Sequence, residues 1–460
     1  MFQPSSVLSS FRTFGRSPAM ILALVIVAGE WTGLARALLR TPAYAAGLDL
    51  VLVIVVISAL WTAHRSPNTW QLTRLDVFIL AYFGLALVQV LNSNVPNLLV
   101  GLEGFRKTAF TMLAYLIVRL ARPGEAIPFL RLVALGSLFT FIWAIRQNIS
   151  PLPIELQIID TAGTSPMSFQ SGPVLRAFAP TAGPFHLGIL GGAVAIISLE
   201  LARVRSVGFV LVGVLAGVAL GISLTRANML GTAMGLAAVV VASAPMRERL
   251  RAAVRALPLL AAIGLAVFLT ARTFTPLIPP TPPPGGDGGT PGRASASGHP
   301  TLPNPLADRS LQFRFQYWAE QLRAIAERPL TGYGTSAAGD GFGRLYDGTG
   351  SRNFDPHSLY LKAPLELGVV GFVLLVGIFA LALWECRRAH GRDPTVALVG
   401  FGLLVMTMAS GLSGPMLDAY PFNLLFWASL GWLANLGSSR AWLEAEPRPP
   451  VGSTRAALAD

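Results

Sequence analysis

Twelve mostly apolar stretches of up to about 20 residues, parted by charges or by Pro and Gly, limit what this chain can become more than any other feature. A bilayer core about 30 Å thick needs about 20 such residues per helix. The stretches run from Ala19 to Leu38, Tyr44 to Ala63, Leu75 to Leu91, Thr108 to Leu120, Ala126 to Ile145 and Pro184 to Ala202. They continue from Val207 to Leu224, Ala227 to Ala244, Val254 to Ala271, Ala363 to Trp384, Pro394 to Leu412 and Phe422 to Leu436, the fourth and twelfth being short. Only 13% of the 460 residues are charged, whereas soluble domains carry about 25%, which excludes a soluble enzyme of this size. The single cysteine, Cys386, excludes an intramolecular disulfide and a thiolate metal cluster. The expected fold class is therefore all-α: a polytopic membrane bundle of about 12 transmembrane helices with one large outer loop.

Lys and Arg accumulate on cytoplasmic loops, and short loops decide the orientation. With the N-terminus inside, nineteen of the 35 basic residues fall in inner segments, seven in short outer connections and nine in the long segment from Arg272 to Lys362. Both termini are expected to be cytoplasmic. The net charge of +12 is then largely a topology signal, and nucleic acid is an unnecessary partner. Small residues near Leu34-Ala35-Arg36-Ala37 invite reading the first run as a cleaved signal, but its length exceeds a signal core and marks a retained anchor. Spans one to nine thus occupy 1–271, the outer loop 272–361, spans ten to twelve 362–437 and a cytoplasmic tail 438–460.

Within the outer loop, 275–305 is dominated by Pro and Gly and lacks the apolar residues that would offset ordering entropy, so it reads as a disordered insert. After it, 308–328 has no helix breaker, and Arg314, Trp318, Leu322 and Ile325 recur at helical spacing. An arginine in a mostly apolar stripe points into a pocket or along the membrane surface. A second outer connection, 147–183, reads as an irregular loop packed on the bundle.

Chemistry is expected on this outer side. His357, just before the tenth span, has two readings: a polar loop residue, or a general base, since an unperturbed imidazole titrates near pH ~6.5. Arg226, between the seventh and eighth spans, is either an ordinary exception to the charge bias or a planar fork of donors suited to phosphate. Arg314 admits the same pair of readings. No Asp-x-Asp pair occurs in the outer segments, and no HExxH, Walker loop or GxSxG occurs anywhere. Phosphate handled outside would therefore be neutralised by arginines, with no metal and no cofactor expected.

Several local patterns coincide with one family. Pro356-His357-Ser358-Leu359-Tyr360-Leu361 followed by Glu366-Leu367-Gly368-Val369-Val370-Gly371 resembles the His-Asn-x-Tyr/Phe-Leu…Glu-x-Gly…Gly signature of the O-antigen ligase and polymerase family. Arg314-x-x-x-Trp318 with Pro329-Leu330-Thr331-Gly332-Tyr333-Gly334 resembles its Arg-x-x-x-Trp…Pro-x-x-Gly-x-Gly block, and Thr225-Arg226 its Ser-Arg motif. Arg176 to Gly188 is similar to its Arg…Gly-x-Phe…Pro-Asn block. Ser358 and His186 stand where the family usually has Asn, and the first five spans match in layout alone.

The resemblance implies a C-type glycosyltransferase fold in the bacterial inner membrane. It implies a glycan taken from undecaprenyl pyrophosphate on the periplasmic face, without a metal ion. In that setting Arg226 and Arg314 are the pyrophosphate candidates and His357 the catalytic base, with Arg176, Trp318 and Tyr360 as sugar or acceptor contacts. The acceptor is lipid A core, a second lipid-linked repeat unit or a protein hydroxyl, and membrane lipids surround the chain. A flippase or transporter of lipid-linked oligosaccharide is the alternative from another class. Ionisable groups within spans mark such proteins, whereas here charges in the apolar runs are few and lie near their ends. The orientation is checked by placing a cysteine at Gly289 or at Gly391: impermeant reagent added to spheroplasts should label the first and spare the second. Equal labelling would remove the frame.

Overall fold

The computed structural model describes residues 17–41, 43–65, 71–161, 169–171, 174–204, 206–243, 245–273, 309–338 and 357–438. The expected insert at 275–305 and the tail beyond 438 lie outside the described residues. The protein is an all-α, polytopic membrane protein. Helices α1 (Pro18–Gly29), α2 (Thr32–Leu39), α3 (Ala43–Arg65), α4 (Arg74–Val88), α5 (Leu98–Thr108) and α6 (Leu113–Arg119) form its first part. Next come α7 (Ala126–Ile149), α8 (Pro153–Thr161), α9 (Pro184–Val204), α10 (Gly208–Ile222), α11 (Arg226–Ala242) and α12 (Met246–Thr273). The series ends with α13 (Arg309–Glu327), α14 (Leu359–His390), α15 (Pro394–Ser410) and α16 (Phe422–Ser438).

Every one of the twelve apolar runs falls on helix. Among the described residues six helices are long and apolar enough to cross a bilayer, or seven if α1 and α2, bent by 60°, count as one span. Helices α10, α11 and α15 are shorter apolar helices, and the fourth run is a 3₁₀ turn, Phe110–Met112, leading into α6. Burial distinguishes inner from outer helices. Both α9 and α16 are buried along nearly their whole length, with Trp427 and Trp432 fully enclosed. On α3, by contrast, Leu50, Ile54, Ile57 and Trp61 remain exposed. An apolar surface of that kind suits hydrocarbon rather than water.

Small residues set the helix spacing where polar groups must meet. A Cβ at Gly188 on α9 would lie 2.0 Å from Thr225 Oγ1 and 2.7 Å from Ser223 Oγ. One at Gly231 on α11 would lie 1.9 Å from Ser410 Oγ, and one at Gly235 would lie 2.7 Å from the Gly402 carbonyl. Backbones that approach this closely gain dispersion contact, which matters because lipid supplies no hydrophobic drive between helices. The result is a tight α9–α11–α15 core in which the Ser410 hydroxyl donates to the Ala227 carbonyl at 3.1 Å.

The described part of the 147–183 connection is more than an irregular loop. It contains α8 and a small antiparallel ladder, β1 (Gln170–Ser171) and β2 (Val174–Leu175). A separate core forms from Leu34, Ile158, Phe169, Leu175 and Phe178, with Phe169 and Phe178 edge to face at 4.8 Å. Helix α7 fastens it from below. The buried Glu155 carboxylate accepts from Trp143 Nε1 at 2.6 Å and from the Leu152 N–H at 2.6 Å, and it pairs with Arg146. Gln147 Oε1 accepts the Phe178 and Ala179 N–H groups, each at 2.9 Å.

This packing yields a test of the glycine contacts. Gly231→Ala should lower the thermal stability of the detergent-solubilised protein, because the added methyl must displace Ser410; overpacking of this kind costs about 1–3 kcal/mol. At Gly264, where a Cβ meets nothing within 4 Å, alanine should be neutral or stabilising through helix propensity. Equal effects at both sites would show that the close approach carries no special energy.

Candidate active site

The site is assembled around the short turn between α10 and α11. Leu224 adopts a left-handed backbone with φ 51°, and the hydroxyls of Ser223 and Thr225 hydrogen-bond to each other at 2.7 Å. Arg226 therefore occupies the first position of α11 and is exposed. Gly188 leaves the room in which the turn sits.

Arg176 reaches the same turn from the loop side. Its backbone N–H donates to Phe169 O at 2.9 Å, Ala177 N–H donates to Ile222 O at 3.1 Å, and the Arg176 Nε donates to Ser223 O at 2.8 Å. The guanidinium thus docks on the carbonyl end of α10, the end of a helix that favours cations. Burial, followed by the nearby charges of Arg314 and Arg226, lowers the Arg176 pKa to about 10. It stays cationic at neutral pH, and its bond to Ser223 O sets it beside the turn that carries Arg226. Like charges held near one another in a partly desolvated place disfavour each other's charged form.

Arg314 enters from α13 and donates to the Ser413 hydroxyl in the segment after α15. That segment also holds the start of α14: Leu359 N–H donates to Gly411 O at 2.8 Å, and the Ser358 hydroxyl donates to the same carbonyl at 3.3 Å. Ser358 caps α14, so His357 sits immediately before a fixed helix end. The end of α15 is therefore the common support for Arg226, through Ala227 and Ser410, for Arg314, through Ser413, and for His357, through Ser358. The His357 ring lies 5.5 Å from the ring of Tyr317 on α13, tilted by 52°.

Helix α13 differs in one respect from the stripe expected of it. Leu322 is exposed, while Gln321 is buried. An α-helix turns about 100° per residue, so eight residues overshoot the Arg314 face by about 80°, whereas seven fall within about 20° of it. Trp318 is partly buried and meets Phe315 edge to face at 5.5 Å. Tyr360 faces the bundle: its hydroxyl donates to Met408 O at 2.9 Å and its ring lies 6.5 Å from Phe379. It ties α14 to α15.

The glycine and glutamate motifs prove to be two halves of one backbone lock. Helix α14 is kinked at Gly368, whose φ is 70°, and the 329–338 segment is laid along the kink. Tyr333 N–H donates to Leu365 O at 2.8 Å, Gly334 N–H to Glu366 O at 3.0 Å, and Val369 N–H to Pro329 O at 2.7 Å. A Cβ at Gly368 would lie 2.0 Å from Leu330 O, which explains why glycine is needed there. The buried Glu366 side chain completes the lock. One carboxylate oxygen accepts the Ser336 and Ala338 N–H groups, each at 3.2 Å, and the other accepts the Thr108 hydroxyl at 2.9 Å. Lys362, also buried, bridges Glu366 at 3.8 Å and Asp418 at 2.6 Å. Sequence reading noted the motif but had no signal for Thr108 or Asp418, which come from distant parts of the chain.

Among the described residues no group of three or more His, Cys, Asp or Glu is placed to hold a metal ion. Residues 211–376, which include Arg226, Arg314, His357 and the α14 kink, match the profile of the family described as O-antigen ligase. A protein named O-antigen ligase from Pseudomonas aeruginosa is 33% identical over 119 residues, a match spanning 25% of this chain and 27% of that protein. Over residues 211–376 the chain is thus similar to the O-antigen ligase family, and it matches about a quarter of the length of this relative.

Proposed function

We propose that the protein transfers a glycan from an undecaprenyl-pyrophosphate donor to an acceptor hydroxyl at the periplasmic face of the inner membrane. The observation that carries this reading is that Arg176 is held on the turn before Arg226, while the end of α15 bonds to Ala227 beside Arg226, to Arg314 and to the residues after His357. In the reaction the bond between the anomeric carbon and the pyrophosphate oxygen breaks, and the lipid pyrophosphate leaves with the electron pair. A bond forms from the acceptor oxygen to the anomeric carbon, and the acceptor's proton passes to the His357 imidazole. Charge grows on the leaving phosphate oxygens, where preorganised cations at a low-dielectric boundary act most strongly. Arginine suits the role because its planar fork binds phosphate oxygens in pairs.

The relative named O-antigen ligase favours lipid A core as the acceptor over a second repeat unit or a protein hydroxyl. Membrane lipids hold the donor's prenyl chain beside the bundle. This chemistry draws on arginine charge and an imidazole base, and it routes no step through a metal or cofactor. A flippase would need two compartments, whereas a transferase does not.

The test is product formation by purified protein in detergent, with donor and rough lipopolysaccharide mixed in one compartment. His357→Ala and His357→Gln should both abolish most transfer while donor binding persists, since loss of a general base typically costs about 10²- to 10⁴-fold. The wild-type rate should fall as pH is lowered through the imidazole range, because a protonated ring cannot accept the acceptor's proton. A His357→Gln variant at wild-type rate would assign His357 to acceptor positioning alone. Absence of transfer by the wild-type protein with every acceptor class would favour the transport reading.

A further inference from the structure

An aromatic residue at one of the unspecified positions of the Arg314-x-x-x-Trp318 block lies against His357. Tyr317 stands one helical turn beyond Arg314 on α13, and its ring centroid is 5.5 Å from that of His357. It is 40% exposed, although its neighbours Trp318 and Gln321 turn inward. One part of the ring therefore braces the imidazole, and another is open. Helical geometry explains the division. Tyr317 lies about 60° from the Arg314 face at 100° per residue, so it borders the inward stripe rather than joining it.

A platform for the acceptor is needed at this place. The attacking hydroxyl must come within hydrogen-bond reach of His357, on the side away from the leaving pyrophosphate. Tyr317 offers an apolar ring beside the imidazole itself. Sugar rings present a C–H face that packs on such a surface, and an aromatic side chain supplies large contact area with little rotamer entropy to lose. The two other aromatic candidates are less suited to it. Tyr360 is engaged with Met408 O and Phe379, and Trp318 packs against Phe315.

We propose that Tyr317 forms the acceptor subsite, bracing the His357 ring and stacking its open face on the sugar that carries the attacking hydroxyl. This inference rests on the transferase reading, and it assigns to Tyr317 a positioning role with no proton transfer of its own. The ring is the functional part, so phenylalanine should serve as well as tyrosine.

The experiment compares wild-type, Tyr317→Phe and Tyr317→Leu proteins, purified in detergent. Undecaprenyl-pyrophosphate-linked O-polysaccharide is the donor and rough lipopolysaccharide the acceptor probe. Tyr317→Leu should raise the acceptor KM about tenfold, the scale of one lost aromatic contact. Its donor KM, its acceptor-independent donor breakdown and its thermal unfolding should match wild type, and Tyr317→Phe should be unchanged throughout. An unchanged acceptor KM in Tyr317→Leu, or a donor KM raised to the same extent, would overturn the assignment. A loss in Tyr317→Phe equal to that in Tyr317→Leu would also overturn it, by moving the role to the hydroxyl. Transfer by the wild-type protein in the same assay separates failure of this subsite from failure of the transferase reading, and no transfer there overturns both.

Discussion

Three arginines brought near one another at the end of a helical bundle are a costly arrangement, and much of the surrounding structure serves to maintain it. Arg176 is held on the last carbonyls of α10, Arg226 is placed by the strained turn at Leu224, and Arg314 is held by Ser413. Each comes from a separate part of the chain, so none could reach the others without the close packing of α9, α11 and α15. That packing in turn depends on glycine. Gly188, Gly231 and Gly235 remove the side chains that would push the helices apart, and the small residues let the polar groups of the turn and of Ser410 meet. A cluster of like charge gains most when an anion enters it, and this is the physical basis of the pyrophosphate site proposed above.

The second constraint is rigidity on the side of His357. A loop histidine gains nothing for catalysis unless its place is fixed. Ser358 caps α14 and also bonds to Gly411 O, while farther along α14 the Glu366 carboxylate and the backbone of 329–338 hold the kink at Gly368. Lys362 joins Glu366 to Asp418, so the start of α14 and the segment after α15 are tied together by a buried ion pair as well as by backbone bonds. Buried charge of this kind adds little net stability, but breaking one partner leaves the others uncompensated. The arrangement supports geometry more than stability.

Much of this was legible in the sequence, for physical reasons that differ by level. The helical runs could be read because a bilayer imposes a length and a polarity on each, and Leu50, Ile54 and Ile57 declare α3 as plainly as their exposure does. Arg226, Arg314 and His357 stood out because polar residues at the ends of apolar runs are few. The partners could not be read. Ser413, Thr108 and Asp418 are ordinary loop or helix residues whose meaning arises only from tertiary contact, and Tyr317 falls just beside the inward face. The inward stripe on α13 slipped from Leu322 to Gln321 because a repeat counted in whole turns drifts against 3.6 residues per turn. The ladder of β1 and β2 was hidden by its two-residue strands, too short for any alternation to register.

The idea that the arginines together form the pyrophosphate site is tested most directly by binding rather than by turnover. Affinity for undecaprenyl pyrophosphate would be measured with the detergent-purified wild-type protein and with Arg176→Lys, Arg226→Lys and Arg314→Lys, each checked for unchanged thermal unfolding. Lysine keeps the charge and removes the fork. Each substitution should weaken binding at least about tenfold, in line with loss of a charge-assisted hydrogen bond, and undecaprenyl phosphate should bind the wild type more weakly than the pyrophosphate. Wild-type affinity in all three variants would contradict the assignment and return the arginines to the support of the fold.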